Sequence, residues 1–322
     1  MLRVTQLSGF GGQGSGAVTT GKVLADGGSY GLIGSTAAIL NSGEATKILA
    51  ADGGSYGLTG TAACVQKGGG PAADFIARTT GMDGTHVTAF TNLINGLVSD
   101  GIWAKLDMLH VYATNSSANA LLNLVGNVYN GTTAGSPTFT ADRGFRGAEA
   151  SATMYIDTGF NPATASSPKF TLNSAHISAW AADNAAPGYS QYAIMGLAGS
   201  SADTLIIPRS QFGGDTRYSV NNSTQIIVVR ATQEGYFLAN RSASNAVQGY
   251  KNGASDGTGS ATASGLINGT FTTLSTNLAG TGNHFGGPHQ CAMASIGASL
   301  TGTEVGNFYT RLRTYMTAVG VP

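Results

Sequence analysis

From Thr138 to about Ile296 the chain alternates short apolar or β-branched segments with turns rich in Gly, Asn and Ser. The segments that predict strands are Ser151–Thr158, Ser174–Ala181, Gln191–Leu197, Asp203–Ile207, Thr224–Arg230, Gly235–Arg241, Ala246–Lys251, Phe271–Leu278 and Met293–Leu300. Short strands at regular spacing, separated by turn signals, are typical of an antiparallel sandwich or barrel. The pattern therefore predicts a mainly β fold in this part of the chain.

A few peripheral helices are expected on either side of the β region. Apolar residues three and four positions apart predict a helix that Thr85 caps and that runs through Val98. The spacing of Val305, Phe308, Leu312, Tyr315 and Met316 predicts a C-terminal helix over residues 303–319. We expect Thr303 to be its N-cap and Gly320 to follow its C-terminus, where glycine is favoured.

A seven-residue sequence occurs twice near the start of the chain. Asp26-Gly-Gly-Ser-Tyr-Gly-Leu32 returns as Asp52-Gly-Gly-Ser-Tyr-Gly-Leu58. Asp-Gly is a strong hairpin signal, and each copy is too short to bury an apolar face alone. Residues 21–70 are therefore interpreted as a small Gly-rich β-repeat module for anchoring and oligomerisation. The assembly residues predicted within it are Asp26, Tyr30, Asp52 and Tyr56.

The chain divides into three parts by composition. Residues 1–20 are rich in glycine and predict an extended arm that docks on another protein. The run Gly68-Gly-Gly-Pro71 is the best candidate for a domain boundary. The remaining residues, 71–322, are then one large domain that ends in the C-terminal helix.

Charge is scarce in this chain. Lys, Arg, Asp and Glu make up 10% of 322 residues, the formal net charge is zero, and 48 residues are glycine. Since neither sign clusters, we expect no nucleic-acid binding. No apolar run approaches the length of a membrane span, and the first residues lack the apolar region of a secretory signal, so we expect no membrane insertion.

Two parts of the chain resemble proteins of bacteriophage particles. The repeats resemble Asp-Gly/Ala-Gly-Ser-Tyr units of virion proteins. The large domain resembles concanavalin A-like (laminin-G-like) jelly-roll domains of phage tail and virion proteins. The residues that carry this second resemblance are Leu97-Val-Ser-Asp-Gly-Ile-Trp-Ala-Lys-Leu-Asp107, Phe139-Thr-Ala-Asp-Arg-Gly-Phe145, Tyr155-Ile-Asp-Thr-Gly-Phe-Asn-Pro162 and Leu238-Ala-Asn-Arg-Ser242.

The resemblance implies a virion structural protein that is made in the host cytoplasm and located in the virion. We expect a fibre or spike on head or tail, a homotrimer that contacts other virion proteins through its arm and repeats. The jelly roll would then bind bacterial surface polysaccharide. A purely structural head decoration or cement protein is the alternative, and a polysaccharide depolymerase is a second alternative.

Sugar binding in a β-sandwich needs aromatic rings to stack on pyranoses and polar side chains to bond their hydroxyls. The turn-rich segments offer six candidates: Trp180, Tyr189, Tyr192, Arg209, Tyr218 and Asn221. The alternation around Trp180 favours a core position for that ring. Tyr189 and Tyr218 are flanked by Gly, Asn and Ser, which favours exposure.

The acidic residues do not indicate an enzyme. A jelly-roll glycoside hydrolase needs two or three carboxylates on one strand face. In this chain no two acidic residues lie closer than seven positions, so we expect no catalytic residues.

Other candidate sites are weaker still. His284, His289 and Cys291 are too loosely spaced for zinc, and a turn with solvent-facing imidazoles is the favoured interpretation. We therefore expect no metal and no cofactor. Arg143 and Arg241 are expected to pair with buried carboxylates such as Asp142 or Asp157 and to hold the fold.

Overall fold

A computed structural model describes residues 3–5, 22–24, 70–148, 153–184, 193–210, 214–230, 232–279 and 283–321. The chain divides into two units, Met1–Gly70 and Pro71–Pro322, and the division falls at the Gly-Pro sequence that predicts a boundary. The first unit contributes two described antiparallel strands, β1 (Arg3–Thr5) and β2 (Lys22–Leu24). The predicted repeat hairpins lie outside the described residues.

The described helices belong to the second unit, except that the first begins at Gly70, the last residue of the first unit. They are α1 (Gly70–Ile76), α2 (Gly84–Ser99), α3 (Ser117–Ala120) and α4 (Gly302–Ala318), and a 3₁₀ turn spans Trp103–Lys105. None of the helices in the described part of the chain has both the length and the apolarity to cross a bilayer.

The caps of the two long helices differ from the sequence predictions. Helix α2 is capped by Asp83, whose side chain accepts from the backbone N–H of His86, rather than by Thr85. Helix α4 is capped by Thr301, which forms a reciprocal capping box with Glu304, rather than by Thr303. The Thr-x-x-Glu spacing of a capping box is present at Thr301 and not at Thr303. Gly320 follows the C-terminus with φ of 76°, as predicted.

Replacing Thr301 with alanine should lower the free energy of unfolding by about 1 kcal/mol, because the backbone N–H of Glu304 loses its acceptor. Thr303→Ala is the matched control, since Thr303 is exposed and does not cap the helix, and it should change stability by less than about 0.5 kcal/mol. Urea unfolding of both variants would measure the difference. Equal losses would contradict the assignment of the cap.

The second unit contains two sheets. In the described residues a nine-stranded sheet has the order β12-β11-β10-β9-β16-β7-β4, with β17 and β18 attached beside β9. Its strands are β4 (Thr132–Ala134), β7 (Tyr155–Asp157), β9 (Met195–Ala198), β10 (Asp203–Ile207), β11 (Asp215–Asn222), β12 (Ile226–Val229), β16 (Thr272–Thr273), β17 (Ser275–Leu278) and β18 (Asn283–Gly286).

An eight-stranded sheet packs against the first, with the order β15-β14-β13-β8-β19-β6-β5 and β3 beside β19. Its strands are β3 (Leu106–Val111), β5 (Thr138–Thr140), β6 (Gly144–Arg146), β8 (Ala175–Ala181), β13 (Gly235–Ala243), β14 (Ala246–Lys251), β15 (Ala254–Gly259) and β19 (Gln290–Gly297). Apart from the parallel pair β17 and β9, the described strand pairs are antiparallel. The predicted β-sandwich of jelly-roll type is confirmed.

Strand β8 shows how the core is divided. Its residues alternate, so that Ile177 and Ala179 face the core between the two sheets while Trp180 faces a second core under the helices. Phe308 and Leu312 of α4 pack in that second core, which also contains Trp180. Helices therefore cover the outer face of the eight-stranded sheet at β8.

A buried histidine fixes α2 to the sheet. His86 is 5% exposed, and its two ring nitrogens lie 2.7 Å from carboxylate oxygens of Asp83 and Asp142. Asp142 belongs to the turn between β5 and β6. The bridge therefore connects the helical layer to the eight-stranded sheet.

Candidate functional site

A cleft of about 340 Å³ lies at the β4 edge of the nine-stranded sheet. Its lining residues are Thr132, Thr133, Ala134, Tyr155, Asp157 and Gly159. Ile156 belongs to the core between the sheets, so its strand neighbours Tyr155 and Asp157 both face outward. The register places Thr132 opposite Asp157 and Ala134 opposite Tyr155. The aromatic ring of Tyr155, the carboxylate of Asp157 and the Thr132 hydroxyl thus share one face of this strand pair.

The Asp157 carboxylate is fixed by two hydrogen bonds. The backbone N–H of Gly159 donates to Oδ1 at 2.8 Å, and the Thr270 hydroxyl donates to Oδ2 at 3.0 Å. Each oxygen retains further acceptor capacity towards the cleft. The carboxylate is therefore held in place but can still accept hydrogen bonds from a ligand.

The turn after β7 gives the cleft its shape. Gly159 adopts φ of 69°, a conformation that glycine reaches without steric cost. The neighbouring Thr158 turns inward, where its backbone N–H and hydroxyl both donate to the carbonyl of Phe271. Phe160 then enters the core between the sheets. Asp157 is therefore kept facing outward, because Ile156 before it and Thr158 and Phe160 after it are buried.

A second cleft, of about 470 Å³, lies at the opposite edge, between β12 and β15. Its walls are mainly aliphatic, and Gly257 and Gly259 allow Ile226 and Val228 to approach closely. Although this cleft is larger, no aromatic ring lines it. Its one carboxylate, Asp256, already pairs with Arg230 and accepts from the Tyr218 hydroxyl at 2.6 Å. The smaller cleft is therefore the better candidate for a ligand of mixed polarity.

Three of the predicted sugar-binding residues are buried. Trp180 is 1% exposed and stacks on Tyr309 at 6.0 Å, which confirms the core position favoured by the sequence. Tyr218 and Asn221 are also buried, so the expected exposure of Tyr218 is wrong and neither side chain presents a binding surface. The Asn221 amide instead donates to the carbonyls of Thr171 and Leu172.

The remaining predicted site residues are not brought into the cleft. Arg209 is half-buried beside Gly214, at the end of β10 and away from β4 and β7 in the strand order. The others lie outside the described residues: Tyr189, Tyr192, Asp26, Tyr30, Asp52 and Tyr56.

The His-Cys segment is not an open turn. His289 and Cys291 are buried, which corrects the expectation of a solvent-facing imidazole at His289. Burial raises the pKa of the Cys291 thiol to about 12. The side chain of His284 lies outside the described part. Within the described residues no group of three or more His, Cys, Asp and Glu side chains could hold a metal ion.

Arg143 and Arg241 bond to the backbone and not to carboxylates. Arg143 donates to the carbonyl of Asp142. Arg241 is fully buried and donates to four carbonyl oxygens, those of Val220, Ala243, Ser244 and Ala261. The predicted pairing with Asp142 or Asp157 is therefore wrong, although the structural role of Arg241 is confirmed.

Tyr155 and Asp157 are not among the residues that the sequence predicts to bind sugar. Their alternation with Ile156 is the signal that places them on one face of a strand. Thr132 lies beside them because β4 pairs with β7. No local pattern in the sequence specifies that pairing.

Comparison with known proteins gives similarity in structure alone. No family model and no curated protein matches the chain. Domain 4 of AbnA, an extracellular arabinanase from Geobacillus stearothermophilus solved with arabinotriose, has 17% identity and a TM-score of 0.43, covering 63% of this chain and 98% of that one.

Toxin chains show structural similarity at comparably low identity and TM-score. Botulinum neurotoxin type C, whose cell uptake depends on interaction with two ganglioside molecules, has 13% identity and a TM-score of 0.43, covering 66% of this chain and 53% of that one. The binding domain of Paraclostridial Mosquitocidal Protein 1 has 11% identity and a TM-score of 0.45, covering 64% and 52%. The chain spans about half the length of these toxin chains.

Proposed function

We propose that the jelly-roll domain binds glycan in the cleft between β4 and β7. The observation that carries the proposal is the meeting of Tyr155, Asp157 and Thr132 in one cleft of about 340 Å³. That volume lies in the range of small-ligand sites and is large enough for one or two sugar rings. The tyrosine ring offers an apolar surface to the C–H groups of a pyranose, and the carboxylate and hydroxyls bond its hydroxyl groups.

The cleft is suited to binding rather than to hydrolysis. Asp157 is the single carboxylate among the residues that line it. Two-carboxylate glycosidases place a second acid within about 5 to 9.5 Å of the first, on the other side of the scissile bond. The cleft thus favours a binding protein over the depolymerase alternative.

The setting we propose is a bacteriophage virion, with the chain as a fibre or spike on head or tail. The support is the repeated Asp-Gly-Gly-Ser-Tyr segment and the resemblance of the large domain to phage jelly rolls. In this proposal the arm and repeats bind other virion proteins and assemble a homotrimer. The sandwich is then displayed towards bacterial surface polysaccharide.

Binding of the labelled full chain to host bacteria tests the proposal. We expect saturable binding that purified surface polysaccharide abolishes. Tyr155→Ala should weaken that binding about tenfold, since a stacked ring contributes on the order of 1 kcal/mol beyond its buried area. Tyr155→Phe should retain most of the affinity if stacking dominates.

Thr258→Ala, at the exposed rim of the other cleft, is the matched control and should leave binding unchanged. If Tyr155→Ala bound as well as the wild type and Thr258→Ala bound more weakly, the glycan site would be the cleft between β12 and β15 instead. Absence of any competition by polysaccharide would refute glycan binding.

A structural decoration role is the second candidate, favoured by edge strand β12. Ile227 and Val229 on its outer side are 56% and 80% exposed, and the strand has none of the charges or prolines that protect edges from pairing. Such an edge is suited to packing against a neighbouring virion subunit. Particles that lack the protein would then lose heat resistance, and a chain with Val229→Lys would fail to restore it.

A further inference from the structure

We infer that the cleft between β4 and β7 selects uncharged glycans and rejects those that carry carboxylate or phosphate groups. The inference rests on the proposed function and concerns the specificity of the same site. It follows from the charges that line the cleft and from the way in which Asp157 is held.

Only one charged side chain lines the cleft. Asp157 is an acid, Tyr155 and the two threonines are neutral, and no Lys or Arg belongs to the lining. An anionic ligand in this cleft would therefore meet a carboxylate and no compensating cation. Like charges in contact disfavour binding, which is a common means of excluding the wrong partner.

The carboxylate cannot turn away from such a ligand without losing its own partners. Gly159 donates to one oxygen and Thr270 to the other, so both oxygens are fixed by groups of the protein. Thr270 is itself part of a network, because the Asn277 amide donates to its carbonyl at 2.8 Å. The negative charge is thus a fixed feature of the cleft.

Cations near the opposite edge of the sheet do not compensate. Arg217 forms a two-point pair with Asp215, with N–O distances of 3.1 and 3.3 Å, and Arg230 pairs with Asp256. Arg217 and Asp215 lie on β11 and Arg230 follows β12, at the end of the nine-stranded sheet opposite β4. Among the residues that line the cleft, the half-buried Asp157 is therefore the one charged group.

A neutral sugar is attracted by the same carboxylate that repels an anionic one. Hydroxyl groups donate to the free lone pairs of both Asp157 oxygens, and hydrogen bonds to an ionised acceptor are about twice as strong as neutral ones. The same carboxylate that excludes anions therefore binds uncharged sugars. We expect an anionic glycan to bind at least about tenfold more weakly than its neutral counterpart, from the repulsion of two charges a few ångströms apart.

The test uses the full chain and matched pairs of polymers. A glucan, a galactan and a mannan are each compared with the same polymer after oxidation of C6 to the uronate. Wild-type protein should bind at least one neutral polymer and should bind its oxidised form at least about tenfold more weakly.

Two variants separate the charge from the shape of the cleft. Asp157→Asn removes the charge and keeps the size, and it should weaken neutral binding about tenfold while abolishing the preference over the uronate form. Thr132→Lys adds a cation at an exposed position opposite Asp157, and it should bind the uronate form at least as well as the neutral one. Unchanged thermal unfolding of both variants confirms that they fold.

Each other outcome has a definite meaning. Equal binding of neutral and uronate polymers by the wild type would overturn the inference while glycan binding stands. A preference for neutral polymers that persists in both variants would also overturn it, since charge would not be its cause. Binding of no polymer of either kind would refute the proposed function and the inference with it.

Discussion

Arg241→Met should lower the free energy of unfolding of the jelly-roll domain by about 3 kcal/mol, because buried carbonyl oxygens lose a charged donor and each acceptor left unsatisfied costs roughly 1–3 kcal/mol. The guanidinium is fully buried and donates to the carbonyls of Val220, Ala243, Ser244 and Ala261. Methionine fills similar space but donates nothing, so each of the four carbonyl oxygens loses one donor. Those of Val220 and Ser244 keep another, from the Asn222 amide and from the backbone N–H of Ala263. Two of these carbonyls, those of Ser244 and Ala261, belong to connecting segments, and the arginine thereby ties the end of β13 to the chain after β15.

Urea unfolding followed by tryptophan fluorescence measures this effect. Arg241→Lys should lose an intermediate amount, because one ammonium has three donors and cannot reach all four oxygens in the geometry of the planar fork. Arg146→Met is the control for loss of a partly exposed arginine that pairs with Asp183, and it should cost less than about 1 kcal/mol. An Arg241→Met variant as stable as the wild type would show that the four bonds contribute nothing.

The domain should lose stability as the pH falls from about 6.5 to about 4, because two buried histidines remain neutral in the folded state. Burial lowers the pKa of both His110 and His176 from 6.5 to about 4. In this pH range the unfolded chain binds a proton at each imidazole and the folded chain does not. Unfolding is therefore favoured, by about 3 kcal/mol for each histidine at the acid end of the range.

The hydrogen bonds around these rings fit the neutral form. His110 Nε2 donates to the carbonyl of Tyr129 at 2.9 Å, and Nδ1 accepts from the Tyr112 hydroxyl at 3.1 Å. His176 Nδ1 donates to the carbonyl of Ala298, and Nε2 accepts from the Ser295 hydroxyl at 3.2 Å. One nitrogen donates and the other accepts in each ring, as in a neutral imidazole.

Unfolding free energies of the wild type and of His110→Gln and His176→Gln, measured across this pH range, test the assignment. Each variant should be less stable than the wild type at neutral pH, and its stability should fall less steeply as the solution is acidified. The two curves should therefore approach each other towards pH 4. Parallel curves for wild type and variants would contradict the buried neutral state.

The strands of the sandwich could be predicted where local alternation alone determines them. The predicted strands Asp203–Ile207 and Ala246–Lys251 have the bounds of β10 and β14. The predicted strand Phe271–Leu278 is instead divided, because Leu274 adopts φ of 66° between β16 and β17. Tertiary packing holds this leucine at positive φ, and no local sequence pattern predicts such a conformation for leucine.

The candidate site could be predicted only in part, since it is made by pairing of distant strands. The turn residues around Tyr218 and Asn221 suggested an exposed loop, yet both belong to β11, which has strands on both sides. The polar groups of that segment are used within the fold, as the bonds of Asn221 to Thr171 and Leu172 show. A polar side chain that the sequence suggests is free to bind a ligand can thus instead donate its hydrogen bonds to backbone carbonyls distant in the sequence.

Nuclear magnetic resonance titration of the full chain with a neutral oligosaccharide from the polymer that it binds best tests the central claim most directly. We expect the backbone amide signals of Thr132, Tyr155, Asp157 and Gly159 to shift with saturation, while those of Ile226 and Gly257 at the other cleft stay in place. Shifts confined to β12 and β15, or saturable binding that moves no amide signal of β4 and β7, would contradict a glycan site at this edge of the sandwich.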